Sequence, residues 1–177
     1  MRIILCAFDE PLENAWKAAL SDCQAEVEQG GHSLTVQRGD ITKLHVAAVV
    51  SPANSYGYMR GGVDLAYTKR FGPGVEHALR AAIATLPEGY LPIGQALAVA
   101  TGDARIPYLV SAPTMKTPQR LNGPETVIAA SRAAVRCALE QGYESLAFPG
   151  MGTGTGGLDT AVAARGMLQG ICEGLRH

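Results

Sequence analysis

Short apolar runs rich in β-branched residues alternate with longer amphipathic segments along this chain. The runs predict strands at residues 2–8, 33–38, 46–51, 95–101, 107–112 and 144–148. The segments between them predict helices at residues 9–28, 63–70, 74–86, 124–141 and 158–175. Strands alternating with helices predict an α/β sandwich built on a largely parallel sheet.

The composition is that of an ordinary globular protein. The 177 residues are 47% hydrophobic and 18% charged, and the formal net charge is −1. We therefore expect a single domain spanning residues 1–177. The absence of a basic stripe disfavours nucleic-acid partners, and the absence of a long apolar run disfavours a membrane span. The sequence predicts a cytosolic protein, expected to be a monomer, without a cofactor or a metal.

Four cysteines lie far apart in the sequence, at Cys6, Cys23, Cys137 and Cys172. They form no CxxC motif and have no metal-like spacing with the four histidines. In a reducing cytosol this spacing predicts free thiols rather than disulfides or a zinc site.

Two loops are candidates for function. The first, Ser51 to Asp64, has the sequence SPANSYGYMRGGVD and follows the buried strand at 46–51. An ordinary connection needs roughly two to six residues. This one is longer and carries polar groups at both ends. Loops of that kind on a rigid strand frequently carry function.

The second loop, PGMGTGTGG, formally contains the dinucleotide fingerprint GxGxxG at Gly152, Gly154 and Gly157. A Rossmann site is not expected, because no second strand with a terminal acidic residue follows the next helix. The lysine of a phosphate-binding P-loop is absent as well.

A phosphate cradle is nevertheless favoured over a plain strand–helix connection. Backbone N–H groups of residues without side chains can approach an anion, and the positive end of the following helix would add to this. Gly61-Gly62, which opens the helix at 63–70, repeats the same chemistry.

Four sequence blocks resemble those of the macro domain, an ADP-ribose-binding α/β/α fold. They are Gly39-Asp40-Ile41-Thr42, Ala53-Asn54-Ser55, Gly61-Gly62-Val63-Asp64, and Phe148-Pro149 with Gly152-Thr153-Gly154. They occur in the family's order and spacing, and the likeness runs from about Ser33 to Leu175. The resemblance implies a three-layer sandwich with a mixed, mostly parallel sheet of six strands. It also implies that the partner is ADP-ribose or an ADP-ribosylated protein.

One departure from this resemblance concerns the chain ends. Macro domains usually finish with a further strand and helix, which are missing here after residue 175, whereas Arg2 to Leu20 resembles that final unit. A circular permutation is favoured over an unrelated N-terminal extension, because the extension would leave a sheet edge or core face uncovered. The permutation predicts the sheet order 33–38, 2–8, 145–149, 46–51, 107–113, 95–101.

The resemblance also implies ligand contacts. Asp40 would accept a hydrogen bond from the adenine amine, supported by the Ile41 backbone, and Phe8 would stack on adenine. From the residues alone, a turn former is the preferred interpretation of Asp40, whereas a core aromatic and a stacking residue are equally good interpretations of Phe8. Contacts to the diphosphate would come from the two glycine-bearing segments, at Gly61, Gly62, Val63, Gly152, Thr153, Gly154 and Thr155.

Asn54 and Asp64 are the residues that the resemblance makes catalytic. Asn54 would bind the distal ribose, and Asp64, ten positions later, would orient or activate a water near the anomeric carbon. The alternatives are a turn-forming Asn and an acid that stabilises the first turn of a helix.

Several positions depart from the family pattern. Gly156 stands where an aromatic is frequent, and Thr68 stands where a histidine often follows the catalytic aspartate. The run Ser111-Ala-Pro-Thr-Met replaces a block that contains histidine. We expect a wider pocket, with Tyr56, Tyr58 or Met59 either filling the space or facing solvent.

Three functions remain open at the level of sequence. The first is hydrolysis of ADP-ribose linkages, as a mono-ADP-ribosyl-protein hydrolase or an O-acetyl-ADP-ribose deacetylase. The second is a reader that binds ADP-ribose without chemistry. The third is a phosphatase acting on ADP-ribose 1″-phosphate, which ranks lower because no histidine stands where a phosphoryl-transfer residue is obvious.

Overall fold

The computed structural model describes residues 1–176. The strands in this part of the chain are β1 (Arg2–Ala7), β2 (Ser33–Arg38), β3 (Ala48–Ser51), β4 (Leu97–Ala100), β5 (Tyr108–Ser111) and β6 (Ser145–Phe148). The helices are α1 (Glu10–Ala19), α2 (Ser21–Gln29), α3 (Gly62–Phe71), α4 (Gly74–Ala84), α5 (Glu125–Glu140) and α6 (Thr160–Leu175). A short 3-10 helix covers Ile41–Lys43.

One six-stranded sheet runs in the order β2-β1-β6-β3-β5-β4. All neighbouring strands pair in parallel except β4, which pairs antiparallel with β5. This order is the one predicted from the sequence, and β1 lies between β2 and β6 as expected. The origin of that arrangement in a circular permutation stays a prediction.

Helices cover both faces of the sheet, so the architecture is a three-layer α/β/α sandwich. One core cluster joins Ile3, Leu5 and Val50 to the helices α1, α2, α5 and α6. The other joins Ile4 and Val49 to α3 and α4. Alternate residues of a strand point to opposite faces, and a strand covered on both faces is therefore apolar throughout. In residues 1–176 no helix is long and apolar enough to cross a membrane.

The first helix differs from its prediction. The sequence predicts one helix over 9–28, whereas the structure has α1 and α2 with a break at Leu20. Leu20 keeps helical dihedral angles of φ −62° and ψ −36°, and the apolar stripe continues across it. The pattern therefore carries no mark of the break. Trp16 of α1 is fully buried and belongs to the core.

The expectation of four free thiols is wrong for two of them. Cys23 in α2 and Cys172 in α6 form a disulfide, with their Cα atoms 6.3 Å apart and 149 positions apart in sequence. The bond depends on two helices that pack together only in the folded chain, so no local spacing marks it. Cys6 and Cys137 are free and buried.

Candidate functional site

A cleft of about 570 Å³ opens at the carboxyl edge of the sheet. Its walls come from the loops that follow β3, β5 and β6, within residues 52–64, 114–118 and 150–156. Parallel strands deliver these loops to the same edge, which is where open α/β sheets bind ligands.

The glycine loop after β6 lines this cleft at Gly150, Gly152, Gly154, Thr155 and Gly156. It is closed by hydrogen bonds from Leu158 N to Gly152 O (3.0 Å) and from Gly157 N to Gly154 O (3.0 Å). Within residues 1–176, no protein group accepts a hydrogen bond from the N–H groups of residues 153–156. Those four donors can serve an anion.

The loop conformation explains why position 156 is a glycine. A Cβ atom there would lie 2.6 Å from the carbonyl oxygen of Gly152 and 3.0 Å from Leu121 Cδ1. Leu121 N also donates to Gly156 O at 2.8 Å. An aromatic at this position would therefore require a different loop. Gly152 itself has φ +82°, a conformation that favours glycine.

The two helix starts near the cleft differ. The start of α6 is already occupied, because the Asp159 side chain accepts from Ala161 N and Val162 N. This cap uses two of the backbone N–H groups that the start of α6 was expected to offer to an anion. The start of α3 has Gly61 at the cap position and no side-chain cap. Gly61, Gly62 and Val63 all line the cleft.

Asn54 lines the cleft and also stabilises its own loop. Its Oδ1 accepts from Tyr56 N at 3.0 Å, and its Nδ2 donates to Tyr58 O at 3.4 Å. The turn-forming role considered from sequence is therefore present. It fixes the side chain at the cleft wall, where one further amide hydrogen and the remaining lone pairs stay unused by these two bonds.

Asp64 lies at the bottom of the cleft wall and is only 8% exposed. The hydroxyl of Ser51, the last residue of β3, donates a short hydrogen bond to its Oδ1. The pKa of Asp64 is raised to about 7: burial raises it most, the Ser51 hydrogen bond lowers it, and the negative charge of Glu76 raises it. A carboxyl group of this kind can exchange a proton near neutral pH.

The residues around Asp64 hold α3 against the sheet. Tyr67 is fully buried, and its hydroxyl donates to Val50 O at 2.8 Å. Thr68 Oγ1 lies 2.9 Å from Met59 O and 3.0 Å from Asp64 O, and its one hydrogen is shared between these two acceptors. Thr68, which replaces the family's frequent histidine, therefore links the helix to the loop before it. From sequence, Met59 is one of the residues that could fill the pocket. It is instead fully buried in the core.

The outer mouth of the cleft carries tyrosines and cations. Arg60 and Arg80 lie over the ring of Tyr58 at 4.8 and 4.1 Å, and Arg80 also donates to its hydroxyl at 3.0 Å. Tyr58 is held by these contacts although 38% of it is exposed. Tyr56 and Tyr58 line the cleft, which agrees with the alternative in which these residues fill space in the pocket.

The residues predicted to contact adenine lie beyond the cleft lining, where β1 and β2 end. Phe8 is 75% exposed, which excludes the core alternative. Asp40 is exposed too, and its Oδ1 accepts from Thr42 N (2.9 Å) and Thr42 Oγ1 (2.6 Å). These bonds lower the pKa of Asp40. The side chain of Ile41 is buried, so only its backbone can face a ligand.

The structure brings the two ends of the predicted site to one edge of the sheet. Gly39 N donates to Ala7 O at 2.9 Å, which places Asp40 beside Phe8. Thr153 is the one predicted diphosphate contact that does not line the cleft. In the described part of the chain no group of three His, Cys, Asp or Glu side chains could hold a metal ion.

Sequence reasoning missed Ser51 as a partner of Asp64. The available signal was a polar residue that closes the apolar run Val46–Val50. Arg80 was missed as well, because its contact with the ring of Tyr58 joins residues that are 22 positions apart in sequence.

The fold and the glycine-lined cleft together define a ligand-binding protein of the α/β/α class. The chain belongs to the macro domain family: the Macro domain model matches residues 50–167. An uncharacterised protein of Aquifex aeolicus is 36% identical over 138 residues, covering 78% of this chain and 80% of that protein.

Solved macrodomains have the same fold. The macrodomain of Mycobacterium tuberculosis DarG superposes with a TM-score of 0.64 at 26% identity, covering 75% of this chain and 85% of that one. A variant of the Oceanobacillus iheyensis macrodomain, solved with ADPR, superposes with a TM-score of 0.68 at 24% identity, covering 77% and 75%.

Proposed function

We propose that the protein binds ADP-ribose in this cleft and hydrolyses ADP-ribose linkages to an acceptor. The observation that carries the proposal is the buried Asp64 carboxyl, set in the wall of a cleft whose glycine loop has four N–H groups without an acceptor among residues 1–176. Family membership and the ADPR bound to the Oceanobacillus macrodomain support the choice of ligand.

The diphosphate would lie between the two glycine segments. The N–H groups of residues 153–156 would contact it from one side, and the start of α3 at Gly61, Gly62 and Val63, which has no side-chain cap, would contact it from the other. Backbone donors at a helix start bind anions without a positively charged side chain. A chain with a net charge of −1 needs such a local site for an anionic ligand.

Asp64 would act on the attacking water. The water oxygen forms a bond to the anomeric carbon of the distal ribose while the bond from that carbon to the acceptor oxygen breaks. The proton released by the water passes to the Asp64 carboxylate, and an acceptor carboxylate leaves as an anion. A base with a pKa of about 7 suits this transfer, since the ideal catalytic pKa lies near the working pH.

Asn54 and Phe8 would fix the two ends of the ligand. The unused donor and acceptor positions of Asn54 suit the hydroxyls of the distal ribose. The exposed ring of Phe8 offers a face to adenine, and Asp40 retains Oδ2 for the adenine amine. Contacts of Ile41, Gly152, Thr153, Gly154 and Thr155 complete the proposed set.

The second candidate is a reader that binds ADP-ribose without chemistry. The observation favouring it is the Ser51 hydrogen bond, which gives Asp64 a structural role as well. A phosphatase acting on ADP-ribose 1″-phosphate stays the lowest-ranked proposal. The histidine that could transfer a phosphoryl group is absent from the loops lining the cleft in residues 1–176.

Two assays test the proposal. Calorimetry with ADP-ribose is expected to give saturable binding, and absence of binding at millimolar ADP-ribose together with binding of NAD would overturn it. Release of ADP-ribose from mono-ADP-ribosylated protein, or of acetate from O-acetyl-ADP-ribose, is expected for the enzyme. Binding without either release would identify the reader.

The cytosolic location, the monomeric state and the lack of nucleic-acid partners also stay predictions. The Cys23–Cys172 disulfide bears on the location, because disulfides are rare in reducing compartments. Fractionation of cells under thiol-alkylating conditions would test the location and the bond together. Size-exclusion chromatography with light scattering would test the monomer.

A further inference from the structure

Ser51 carries a buried hydroxyl group that lies next to Asp64 in the proposed reaction centre. It closes β3, is fully buried, and donates to Asp64 Oδ1. Val49, two positions earlier, belongs to the core cluster beneath α3, so Ser51 points to the same face. Ser51 does not line the cleft.

We infer that Ser51 is the positioning residue for Asp64: it occupies Oδ1 and so leaves Oδ2 as the oxygen that takes the proton of the attacking water. A serine hydroxyl has one hydrogen, and donating it to Oδ1 fixes the rotation of the carboxyl group. The inference rests on the proposed hydrolytic function and assigns a residue and an oxygen atom to it.

The backbone holds Ser51 in place. Its strand is paired with β6 on one side and β5 on the other, in register with Ser111 of β5. The carbonyl oxygen of Ser51 also accepts from Ala112 N at 2.9 Å. A donor fixed in a central strand can orient a carboxylate without loss of rotamer freedom during the reaction.

Charged and titratable groups surround Asp64 from three elements. Glu76 of α4 faces it and is paired with Arg60 of the cleft loop at 3.3 Å. Tyr67 of α3 interacts with it, and burial raises the pKa of that phenol well above its usual range. Burial and Glu76 favour the protonated form of Asp64, whereas the Ser51 hydrogen bond favours the charged form. Ser51 is thus the group that keeps the carboxylate available near neutral pH.

The test uses three variants of the full chain. Ser51→Ala is expected to move the midpoint of the pH–rate profile for ADP-ribose release upward by about one pH unit, since a hydrogen bond to a charged group is worth roughly that much. Turnover at pH 7 is then expected to fall by about fivefold, because the ionised fraction of Asp64 drops from about one half to about one eleventh, with the affinity for ADP-ribose within twofold of wild type. Ser51→Thr keeps the hydroxyl and is expected to restore the midpoint.

Ser111→Ala is the matched control. Ser111 is fully buried, lies in register on the neighbouring strand, and its Oγ has no hydrogen-bond partner within residues 1–176. Its truncation removes the same hydroxyl group from the same layer, and the pH–rate profile is expected to stay at the wild-type midpoint. A Ser51→Ala profile that coincides with wild type would overturn the inference.

A second measurement separates this inference from the proposed function. Asp64 keeps its proton to a higher pH in the folded chain than in the unfolded one, so its burial lowers stability progressively from about pH 4 to about pH 7. The difference in melting temperature between wild type and Asp64→Asn should open over that range and stay constant above it. When both chains of this comparison also carry Ser51→Ala, the pH range over which their melting temperatures diverge should extend to higher pH. This holds even if the wild type releases no ADP-ribose. An unchanged range would sink the role of Ser51, whereas absent release alone would sink the hydrolytic function.

Discussion

The two ends of the proposed ligand site are built in opposite ways. At the distal end, Asp64 is buried, hydrogen-bonded to Ser51 and enclosed by the packing of α3 on the sheet. At the proposed adenine end, Phe8 is 75% exposed, and the Asp40 side chain accepts hydrogen bonds from Thr42 in its own turn. One end is rigid before any ligand arrives, and the other is an open surface that a ligand would complete.

The difference matches the demands on each end under the proposed function. A reacting centre needs its groups fixed in advance, because reorganisation during the reaction raises the barrier. A remote group such as adenine supplies binding energy, which an exposed ring can give without a preformed pocket. Substitutions at the two ends should therefore separate rate from affinity.

The largest expected effect is at the distal end. Asp64→Ala should lower turnover by about a hundredfold or more, within the range typical of general acid–base groups. Affinity for ADP-ribose should change little, because the diphosphate and adenine contacts are untouched. Single-turnover release with affinities measured in parallel checks this. Equal losses of rate and affinity would contradict a role confined to the transition state.

The glycine loop between the two ends should respond next. In Gly156→Ala the added methyl group would lie 2.6 Å from Gly152 O, so the loop must shift and misplace its N–H donors. We expect ADP-ribose to bind about tenfold more weakly, as for the loss of one charge-assisted hydrogen bond. Gly74→Ala is the control, because a Cβ there meets no atom within 4 Å. Equal calorimetric affinities for the two variants would remove the loop from the diphosphate site.

Asn54→Ala should affect both properties. Its side chain contacts the loop at Tyr56 and Tyr58 and would contact the distal ribose in the ground state and the transition state alike. We expect kcat/KM to fall by about tenfold, with part of that loss in affinity. The same kinetic and calorimetric measurements apply. A pure turnover effect would instead place Asn54 with Asp64 in the chemical step.

The smallest effect is expected at the adenine end. Phe8→Ala should raise the Kd for ADP-ribose by about fivefold or more, because stacking on a base is worth roughly 1–3 kcal/mol. Turnover at saturating substrate should stay at the wild-type value. Tyr108→Ala is the control. Tyr108 is also exposed, but it is the first residue of β5 and so lies at the amino ends of the parallel strands, away from the cleft. If both variants bind as well as wild type, adenine lies elsewhere.

The sheet was the most predictable part of the molecule. Strand positions follow from apolar runs of local sequence, and the strand order followed from one resemblance between Arg2–Leu20 and a family's final unit. The cleft segments around Asn54, Asp64 and Gly154 were predicted in the same way, from blocks whose order along the chain is visible.

The features that sequence reasoning missed all depend on distance in space. Ser51 meets Asp64 across thirteen positions, and Cys23 meets Cys172 across 149. Met59 lies in a polar-looking loop yet is fully buried, because the loop folds back beneath α3. No local pattern encodes such contacts, since each is made by the packing of two elements.

The disulfide has a mechanical consequence for the two ends of the site. Tension applied between Met1 and Arg176 would pass through the Cys23–Cys172 bond, leaving residues 24–171 inside a closed ring that carries no load. The strands β2 to β6 and the loops of the cleft belong to that ring, whereas β1 and α1 lie outside it. Pulling would thus detach β1, together with Phe8 that follows it, while the Ser51–Asp64 pair stays inside the closed ring.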